Sequence, residues 1–359
     1  MNHQKGNMIK KKGPKRKLEE ELGLVPNGQK VLKTEEIQPK VEEFPPKEAK
    51  GRKYTVSVAV PGSVVEAGQT AELKTYLVSQ LGRAFALFNI DEVIVYNDSH
   101  KRVQDTTEGV FEGANKDDPN VFLARVLQYL ETPPYLRKAL FPVHRDLKFA
   151  GLLASLDSPH HVRMDEDSPY REGVVCGKVG KALGSYVNCG LRKDIRIDRP
   201  LKNGVRVTVQ LAGVPSKDSR YIGGKVVSPK APRETLGLYW GFQVRLAPTI
   251  SKVFDECPFS EGYDVKIGIS DKGEPIEEAT TKLKPYKHAL IVLGGNTGIE
   301  TAVETDQDLD CAIEDTATLF DIYTNPCPGR GSRTLRTEES LLVSLSALRS
   351  TLISNGLSD

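Results

Sequence analysis

Two glycine-containing turns near the carboxyl end of the chain carry residue types that could bind a small ligand. In the first, the apolar run His288–Leu293 leads into Gly294–Glu300, which reads GGNTGIE. A buried strand that delivers its carboxyl end to a glycine turn and then a helix is where open α/β sheets bind ligands. Because the segment lacks both GxGxxG and GK[ST], the dinucleotide and P-loop interpretations fail. A plain tight turn remains the alternative explanation.

The second turn is more distinctive. It follows the β-like run Ala317–Tyr323 and spans Asn325–Glu339, which reads NPCPGRGSRTLRTEE. Two prolines stiffen its first part, and Thr337 could cap the helix that follows, with Glu338 and Glu339 in the first turn, where the helix dipole favours carboxylates. Backbone amides of such a rigid turn can hold an adenine edge or a carboxylate. This pattern predicts a second wall of the same ligand site.

A third unusual run begins at Pro142 and contains His-Arg-Asp (residues 144–146). The protein-kinase catalytic loop requires Asn five residues after the Asp, but Gly151 stands there, so the kinase interpretation is rejected. The run ends in basic and histidine side chains. A solvated hinge with a satisfied buried histidine is the plain structural explanation for Arg145, His160, His161 and Arg163.

Helical and β-like patterns alternate around these turns. Tyr54–Val60 and Val93–Tyr96 resemble strands, and apolar residues recur at helical spacing between Leu73 and Phe88. Such alternation predicts a parallel sheet that is covered on both faces. Between Val162 and Pro248 the chain instead shows five short β-like segments that fit a small closed barrel: Gly173–Val179, Ser185–Cys189, Asp194–Ile197, Val205–Leu211 and Leu236–Val244.

The predicted barrel interleaves aromatic and basic residues. OB-type barrels bind single strands by stacking bases on exposed aromatic rings beside basic side chains, although alternate strand positions belong in the core. About half of the aromatic residues should therefore be packed inside. The residues concerned are Tyr170, Tyr186, Tyr239, Trp240, Phe242, Arg171, Lys178, Lys181, Arg192 and Lys193.

Composition limits the classes of protein that the chain can belong to. Its 359 residues suit one large or two medium domains, and a net charge of +2 argues against binding nucleic acid by bulk charge alone. No apolar run approaches a membrane span of roughly 18 residues. Five scattered cysteines without a CxxC pair predict neither a disulfide framework nor a metal site. Residues 1–52 read as a disordered basic tail, whose Lys10–Lys17 segment predicts nuclear localisation or an RNA-contacting arm.

The residues from His288 to Glu300 and from Phe320 to Glu339 resemble the cofactor region of the SPOUT class of RNA methyltransferases. The resemblance extends over about Lys53–Leu348 and is strongest for the family with an inserted β-barrel, which has a spindle- and kinetochore-associated member. It implies an α/β fold with a deep trefoil knot and a homodimer formed through that knot. The implied domains are a discontinuous knot domain (53–162 and 249–359) and an OB-like barrel (163–248).

The resemblance also implies roles for individual residues. It makes S-adenosylmethionine the cofactor, with contacts from Lys272, Gly294, Gly295, Gly298, Asn325, Gly329, Gly331, Ser332 and Thr334. A family member has Arg at the position of Lys272, and Lys offers a point charge in place of a bidentate contact. Candidates for orienting the nucleotide are Arg336, Arg333 and Glu338, with Asp321 and Arg145 as weaker ones. RNA contacts are expected from Arg145, His160, His161 and Arg163.

The leading hypothesis is methyl transfer from S-adenosylmethionine to a base nitrogen or ribose hydroxyl of structured RNA. The sulfonium already activates the methyl group, so the protein mainly aligns donor and acceptor. The sequence leaves open whether the RNA is ribosomal, transfer or microRNA, and whether the protein is nuclear or also cytoplasmic. The alternative is a noncatalytic RNA-binding or mitotic spindle and kinetochore scaffold that retains the cofactor pocket. A nucleotide-dependent enzyme is a third hypothesis, which depends only on the glycine turns.

Overall fold

The computed structural model describes residues 50–99, 118–179, 184–212 and 221–358. Residues 1–49 of the predicted tail, including Lys10–Lys17, and Lys181 lie outside these residues, so those predictions stay predictions. Arg52, at the end of the predicted tail, is ordered by an ion pair with Asp91. The strands, in chain order, are β1 (Thr55–Pro61), β2 (Glu92–Tyr96), β3 (Tyr170–Val179), β4 (Ser185–Asn188), β5 (Ile195–Arg196), β6 (Arg206–Leu211), β7 (Ile222–Val227), β8 (Gln243–Ala247), β9 (Val265–Pro275), β10 (His288–Leu293) and β11 (Ile322–Asn325).

Helices alternate with these strands outside the barrel. They are α1 (Ala71–Leu87), α2 (Pro119–Glu131), α3 (Pro134–Leu140), α4 (Ala231–Leu236), α5 (Ile250–Asp255), α6 (Ile276–Ala279), α7 (Ile299–Thr305) and α8 (Thr337–Asn355). Short 3-10 turns complete several connections, among them Arg145–Leu147 and Ala150–Leu152. None of the helices described is both long and apolar enough to cross a membrane.

Six strands form one parallel sheet in the order β11-β9-β10-β1-β2-β8. The sheet lies in the interior of the protein, as strand β1 shows: all seven of its residues are buried. Val58 packs into the larger apolar cluster on one face, and Ala59 packs into the smaller cluster on the other face. The prediction of an α/β fold with a parallel sheet is confirmed. In such a sheet all carboxyl ends meet at one edge, which is where the glycine turns lie.

Five strands close a barrel in the order β3-β4-β5-β7-β6, so the prediction of a small closed barrel is confirmed. The prediction that Leu236–Val244 supplies its fifth strand is wrong. That strand is β7, whereas β8 is the edge strand of the parallel sheet. The apolar run misled the prediction because it is a connector that is buried from both sides. Trp240 packs on Tyr170 of the barrel, while Phe242 belongs to the core beside the sheet.

Candidate active site

Three segments, named the loops after β9, β10 and β11, meet at the carboxyl edge of the sheet. The first is residues 270–275, where β9 continues beyond its pairing with β10, and the others are the connections that follow β10 and β11. These strands are neighbours in the order β11-β9-β10, so their loops are adjacent. The loops carry Lys272 near the end of β9, Gly294 directly after β10, and Asn325 as the last residue of β11. The structure therefore brings together residues from all three predicted cofactor segments, which are separated by up to about fifty positions in sequence.

The turn after β10 is shaped by close backbone contacts. A Cβ atom on Gly294 would lie 2.3 Å from the carbonyl carbon of Gly298 and from the amide nitrogen of Ile299. Gly298 has a φ of +89°, in the region that favours glycine, and directly precedes α7. Gly295 forms an isolated bridge with Gly298. Glycine is thus required at these positions to fold the turn tightly, whether or not a ligand approaches it.

A buried carboxylate, Glu300, ties the three loops together. Its Oε1 accepts hydrogen bonds from the Ser270 hydroxyl on β9 (2.8 Å) and the Tyr323 hydroxyl on β11 (2.9 Å). The ammonium of Lys272 lies 3.5 Å from the same oxygen. Burial raises the pKa of Glu300, but the hydrogen bonds and Lys272 outweigh it, so the pKa lies below its ordinary value. The sequence prediction missed this role because a Glu in the first turn of a helix is unremarkable.

The side chain of Asn325 also joins two loops. Its Nδ2 donates to the carbonyl of Asp271 (3.0 Å), and its Oδ1 accepts from the amide of Cys327 (3.1 Å). Arg330 forms a bidentate pair with the same Asp271, at 2.7 and 2.6 Å. Asn325 and Arg330 therefore hold the loop after β11 against the loop after β9. Arg330 was not among the predicted site residues.

The rest of the loop after β11 is open. Gly329 has a φ of +69°, and a Cβ atom on Gly329 or Gly331 would meet nothing within 4 Å. Ser332 donates its hydroxyl hydrogen to the carbonyl of Thr334 (2.8 Å), which stabilises the loop internally. All four residues are exposed. A ligand can approach this stretch of backbone without displacing a side chain.

The loop ends at the amino terminus of α8. The prediction that Thr337 caps this helix is wrong: Arg336 occupies the cap position, and its amide donates to the Glu339 carboxylate (3.0 Å). The Thr337 hydroxyl instead donates to the carbonyl of Gly294 (3.1 Å), so α8 begins against the glycine turn. Arg336 is 69% exposed and its guanidinium lies 3.9 Å from Glu338.

The remaining nucleotide-orienting candidates fall into two groups. Arg333 is exposed in the loop after β11, with its carbonyl accepting from Arg330 at 3.3 Å. Asp321, in contrast, precedes β11 and accepts from the amide of Lys266 near the start of β9 (2.8 Å). It lies at the amino edge of the sheet, opposite the site. The prediction of a role for Asp321 is therefore wrong, because it rested on nearness in sequence to the loop after β11.

Two side chains that the sequence prediction missed lie on the other side of β10. Ser63 follows β1 and Asp98 follows β2, and the Ser63 hydroxyl donates to the Asp98 carboxylate at 2.5 Å. A Cβ atom on Gly295 would lie 2.9 Å from each of the two side chains. Burial, together with the nearby Glu66, raises the pKa of Asp98 above its ordinary value despite the Ser63 hydrogen bond. The carboxyl edge thus presents a hydrogen-bonded acid beside the glycine turn.

Two of the predicted RNA-contacting residues are structural. His160 is fully buried, and the Nε2 atoms of His160 and His161 lie 2.8 and 2.7 Å from the carbonyl of Glu131 at the end of α2. Burial and the neighbouring His160 lower the pKa of His161 to about 3. The prediction that His160 contacts RNA is contradicted by its burial, which spacing alone could not reveal. His161 is half-buried and has its Nε2 on the same carbonyl. Arg163 is exposed, and the side chain of Arg145 is 51% exposed.

A cavity of about 1220 Å³ extends along α2. At one end it is lined by Glu66 and by Asp118 before α2, and at the other by Glu131 and the barrel residue Arg206. Arg145 lies in its wall. The cavity therefore connects the side of the molecule that carries Asp98 and Glu66 with the base of the barrel.

A buried ionic network joins the barrel to α2. Arg206 on β6 donates to both carboxylate oxygens of Glu131 (2.7 and 2.9 Å) and to Glu172 on β3 (2.7 Å). Trp240 and Thr208 donate to the other oxygen of Glu172, at 2.6 and 2.5 Å. Although burial raises the pKa of Glu131, Arg206 and His160 lower it far more, so the group stays ionised. The network fixes the barrel relative to the cavity.

More of the aromatic residues in the barrel region are buried than the half that the sequence predicted. Tyr170, Tyr239, Trp240 and Phe242 are buried, and Arg171 is buried with its guanidinium on backbone carbonyls. Tyr186 is half-buried and pairs with Tyr221 at 4.7 Å between ring centroids. Arg196 stands opposite Tyr186 in the β4–β5 register and is exposed. The outer barrel face around Tyr186 therefore keeps the combination of ring and cation that stacking requires.

In the part of the chain that the structure describes, no group of three or more His, Cys, Asp or Glu side chains is placed to hold a metal ion. The cysteines are free.

Comparisons with known proteins agree with this arrangement. Residues 55–348 match the family described as "Putative RNA methyltransferase". A Homo sapiens protein named 28S rRNA (uridine-N(3))-methyltransferase is 49% identical over 312 residues, which cover 86% of this chain and 82% of the human protein. The proteins of the same name from Mus musculus and Drosophila melanogaster are 49% and 44% identical, over 83% of this chain and 77% and 62% of their own lengths. The chain belongs to this family of RNA methyltransferases.

Proposed function

We propose that the protein transfers a methyl group from S-adenosylmethionine to N3 of a uridine in the RNA of the large ribosomal subunit. The observation that carries the proposal is the set of three adjacent loops at the carboxyl edge, fastened by Glu300, in a chain with 49% identity to relatives named as uridine-N3 methyltransferases. The family fixes the activity as RNA methylation. The proposed target base and the proposed target RNA are inferred from the names of the relatives. The scaffold alternative is not favoured, because these relatives are named as enzymes.

The residues present fit S-adenosylmethionine. The open backbone at Gly329 and Gly331 leaves space for a ligand beside the tight turn at Gly294. Lys272 is 66% exposed at its side chain and could neutralise a carboxylate of the ligand. When bound, the cofactor would supply an activated methyl group. The role of this chain is then to orient the acceptor base and to receive its proton.

We also propose the SPOUT trefoil knot, and a homodimer formed through it. The hydrogen bond from Thr337 to Gly294 supports the knot, because it brings the chain that follows β11 back against the loop after β10. The predicted barrel domain (163–248) ends too late, because β8 (Gln243–Ala247) pairs with β2 in the parallel sheet and therefore belongs with the knot domain (53–162 and 249–359). Nuclear localisation is proposed from Lys10–Lys17, and the association with mitotic spindles and kinetochores stays a prediction.

The proposed path of the RNA follows the cavity along α2. One end reaches the barrel at Arg206, and the wall contains the exposed Arg145. Tyr186 and Arg196 do not line the cavity, but they offer a stacking surface elsewhere on the same barrel. Arginine and aromatic rings together bind single strands without reading sequence. The other end reaches Glu66, next to the carboxyl edge. A strand in this cavity could thus contact the barrel while one base enters the site.

The test uses the purified full-length protein, large-subunit ribosomal RNA prepared from cells that lack it, and labelled S-adenosylmethionine. We expect a single methylated nucleoside, which mass spectrometry after digestion identifies as N3-methyluridine. N3 lies on the base-pairing edge, so the position can be mapped by arrest of reverse transcriptase. Binding of S-adenosylmethionine is measured separately by calorimetry. A product methylated on ribose or on another base, or no cofactor binding in the presence of RNA, would refute the proposal.

A further inference from the structure

Ser63 and Asp98 form a polar pair that the methyl-donor loops do not use. The pair is held in place by two contacts to β10. Tyr96, which is fully buried two residues before Asp98, donates to the carbonyl of Leu293 (2.7 Å), and both members of the pair lie against Gly295. Asp98 and Ser63 are nevertheless only half-buried. A carboxylate is thus fixed at the glycine turn with a side open to solvent.

Methylation at N3 of uridine poses a chemical problem that the cofactor does not solve. N3 carries a proton at neutral pH, and its lone pair is available for attack on carbon only as that proton leaves. A positioned carboxylate that accepts the proton typically contributes 10²- to 10⁴-fold to the rate of such a step. The carboxyl edge must therefore provide a proton acceptor close to the glycine turn.

We propose that Asp98 is the catalytic base that accepts the N3 proton, and that Ser63 is a positioning residue that orients its carboxylate. This inference rests on the proposed function. A bond forms between N3 and the methyl carbon while the bond between that carbon and the cofactor sulfur breaks, and the bonding electron pair stays on sulfur. The N3 proton moves to a carboxylate oxygen of Asp98. After product release, Asp98 gives the proton to water.

The other carboxylates at this edge are less suited to the role. Glu300 accepts from Ser270 and Tyr323, and its lowered pKa makes it a weaker base. Glu338 already lies 3.9 Å from the guanidinium of Arg336.

The pKa of Asp98 is shifted in the useful direction. Burial raises it, the charge of Glu66 raises it further, and the hydrogen bond from Ser63 opposes both. Among the residues that the structure describes, Glu300 is a further charged group in this region, since both it and Asp98 raise the pKa of the buried Tyr96. A carboxylate with a raised pKa binds the transferred proton more firmly, which brings it closer to the ideal for a base at neutral pH.

The experiment compares Asp98→Asn and Ser63→Ala with the matched control Asp255→Asn, an exposed aspartate on α5. Single-turnover methylation of the ribosomal RNA segment is followed between pH 6 and pH 9. We expect Asp98→Asn to lose at least 100-fold at pH 7, with the deficit shrinking as the pH rises and N3 ionises unaided. Calorimetry should show unchanged affinity for S-adenosylmethionine and for the RNA, because the substitution preserves shape.

A second substrate separates proton transfer from a structural effect. Replacing the target uridine by 5-fluorouridine makes the N3 proton more acidic, so the deficit of Asp98→Asn should fall at least tenfold. An equal deficit on both substrates and at every pH, or activity within threefold of the wild type, would overturn the proposal. If Asp98→Asn does not fold, Ser63→Ala decides: a displaced pH profile supports the proposal and an unchanged one overturns it. A wild type that never forms N3-methyluridine would instead refute the proposed function.

Discussion

Replacing Glu300 by glutamine tests whether this carboxylate fastens the three loops. The amide oxygen can still accept from Ser270 and Tyr323, but both hydrogen bonds lose their charged acceptor, and the attraction of Lys272 is lost. A hydrogen bond to a charged group contributes about 1.5–3 kcal/mol, against about 1 kcal/mol for a neutral one. The pair with Lys272 adds little, because its ammonium end is exposed. We expect a loss of about 2 kcal/mol in the free energy of unfolding.

The assay is chemical denaturation of the full-length protein with calorimetry of S-adenosylmethionine in parallel. If all of the lost free energy, about 2 kcal/mol, is spent in disordering the cofactor loops, the affinity for S-adenosylmethionine falls by at most about 30-fold. Glu304→Gln, at an exposed position of the same helix, is the matched control and should change neither quantity. Equal behaviour of the two variants at pH 7 would refute the role of Glu300.

The pH dependence provides a further check on the same variant. Since the pKa of Glu300 is lowered in the folded protein, the carboxylate stabilises the fold fully above its unfolded pKa of about 4.3 and loses this effect as the pH falls through the folded value. The difference between wild type and Glu300→Gln should therefore be constant at neutral pH and shrink in acid. A difference that grows as the pH falls would show that the sign of the argument is wrong.

Three further predictions follow from the geometry. Gly294→Ala places a Cβ atom 2.3 Å from backbone and should weaken S-adenosylmethionine binding more than tenfold in calorimetry, whereas Gly151→Ala, with nothing within 4 Å, should not. Tyr186→Ala should weaken RNA binding by roughly 10- to 100-fold, as expected for one lost base stack, with cofactor affinity unchanged. His161 has a folded pKa of about 3, so it destabilises the fold progressively as the pH falls below about 6.5, and His161→Gln should flatten unfolding free energies measured from pH 7 to pH 4.

The parallel sheet and its glycine turns were predictable because buried parallel strands read as continuous apolar runs, as in His288–Leu293. The strand order was not, since pairing such as β1 with β10 joins residues more than two hundred positions apart. The same limit explains Leu236–Val244: apolar residues occupy every second position from 236 to 244, as in a strand, but Trp240 and Phe242 pack into different clusters. The spacing of apolar residues predicts that a side chain is buried, but it does not predict which part of the protein packs against it.

The site residues whose role depends on backbone conformation could be predicted from the sequence. Those whose role depends on side-chain partners from elsewhere in the chain could not. Glycines at positions 294 and 298 predict a turn, because few other residues tolerate its close backbone contacts and positive φ. Glu300 and Asp98 gave no such signal, since each owes its role to hydroxyl donors that are distant in sequence. The prediction for His160 failed for the opposite reason: histidine as a residue type suggests a functional role, but the Nε2 atom of His160 lies on the carbonyl of Glu131.

The separation of the barrel from the carboxyl edge determines what kind of substrate the enzyme can use. Helix α2 has 13 residues and is therefore about 20 Å long, and the cavity along it has Glu66 at one end and Arg206 at the other. A free nucleotide can occupy only one end, whereas a strand of RNA can contact both. Binding energy gained at the barrel can then be used to align the base at the site, so that truncating the RNA lowers the turnover rate as well as the affinity. Because the network of Arg206, Glu131 and Glu172 fixes the barrel on α2, weakening it should reduce that alignment even though no residue of the network touches the reacting base.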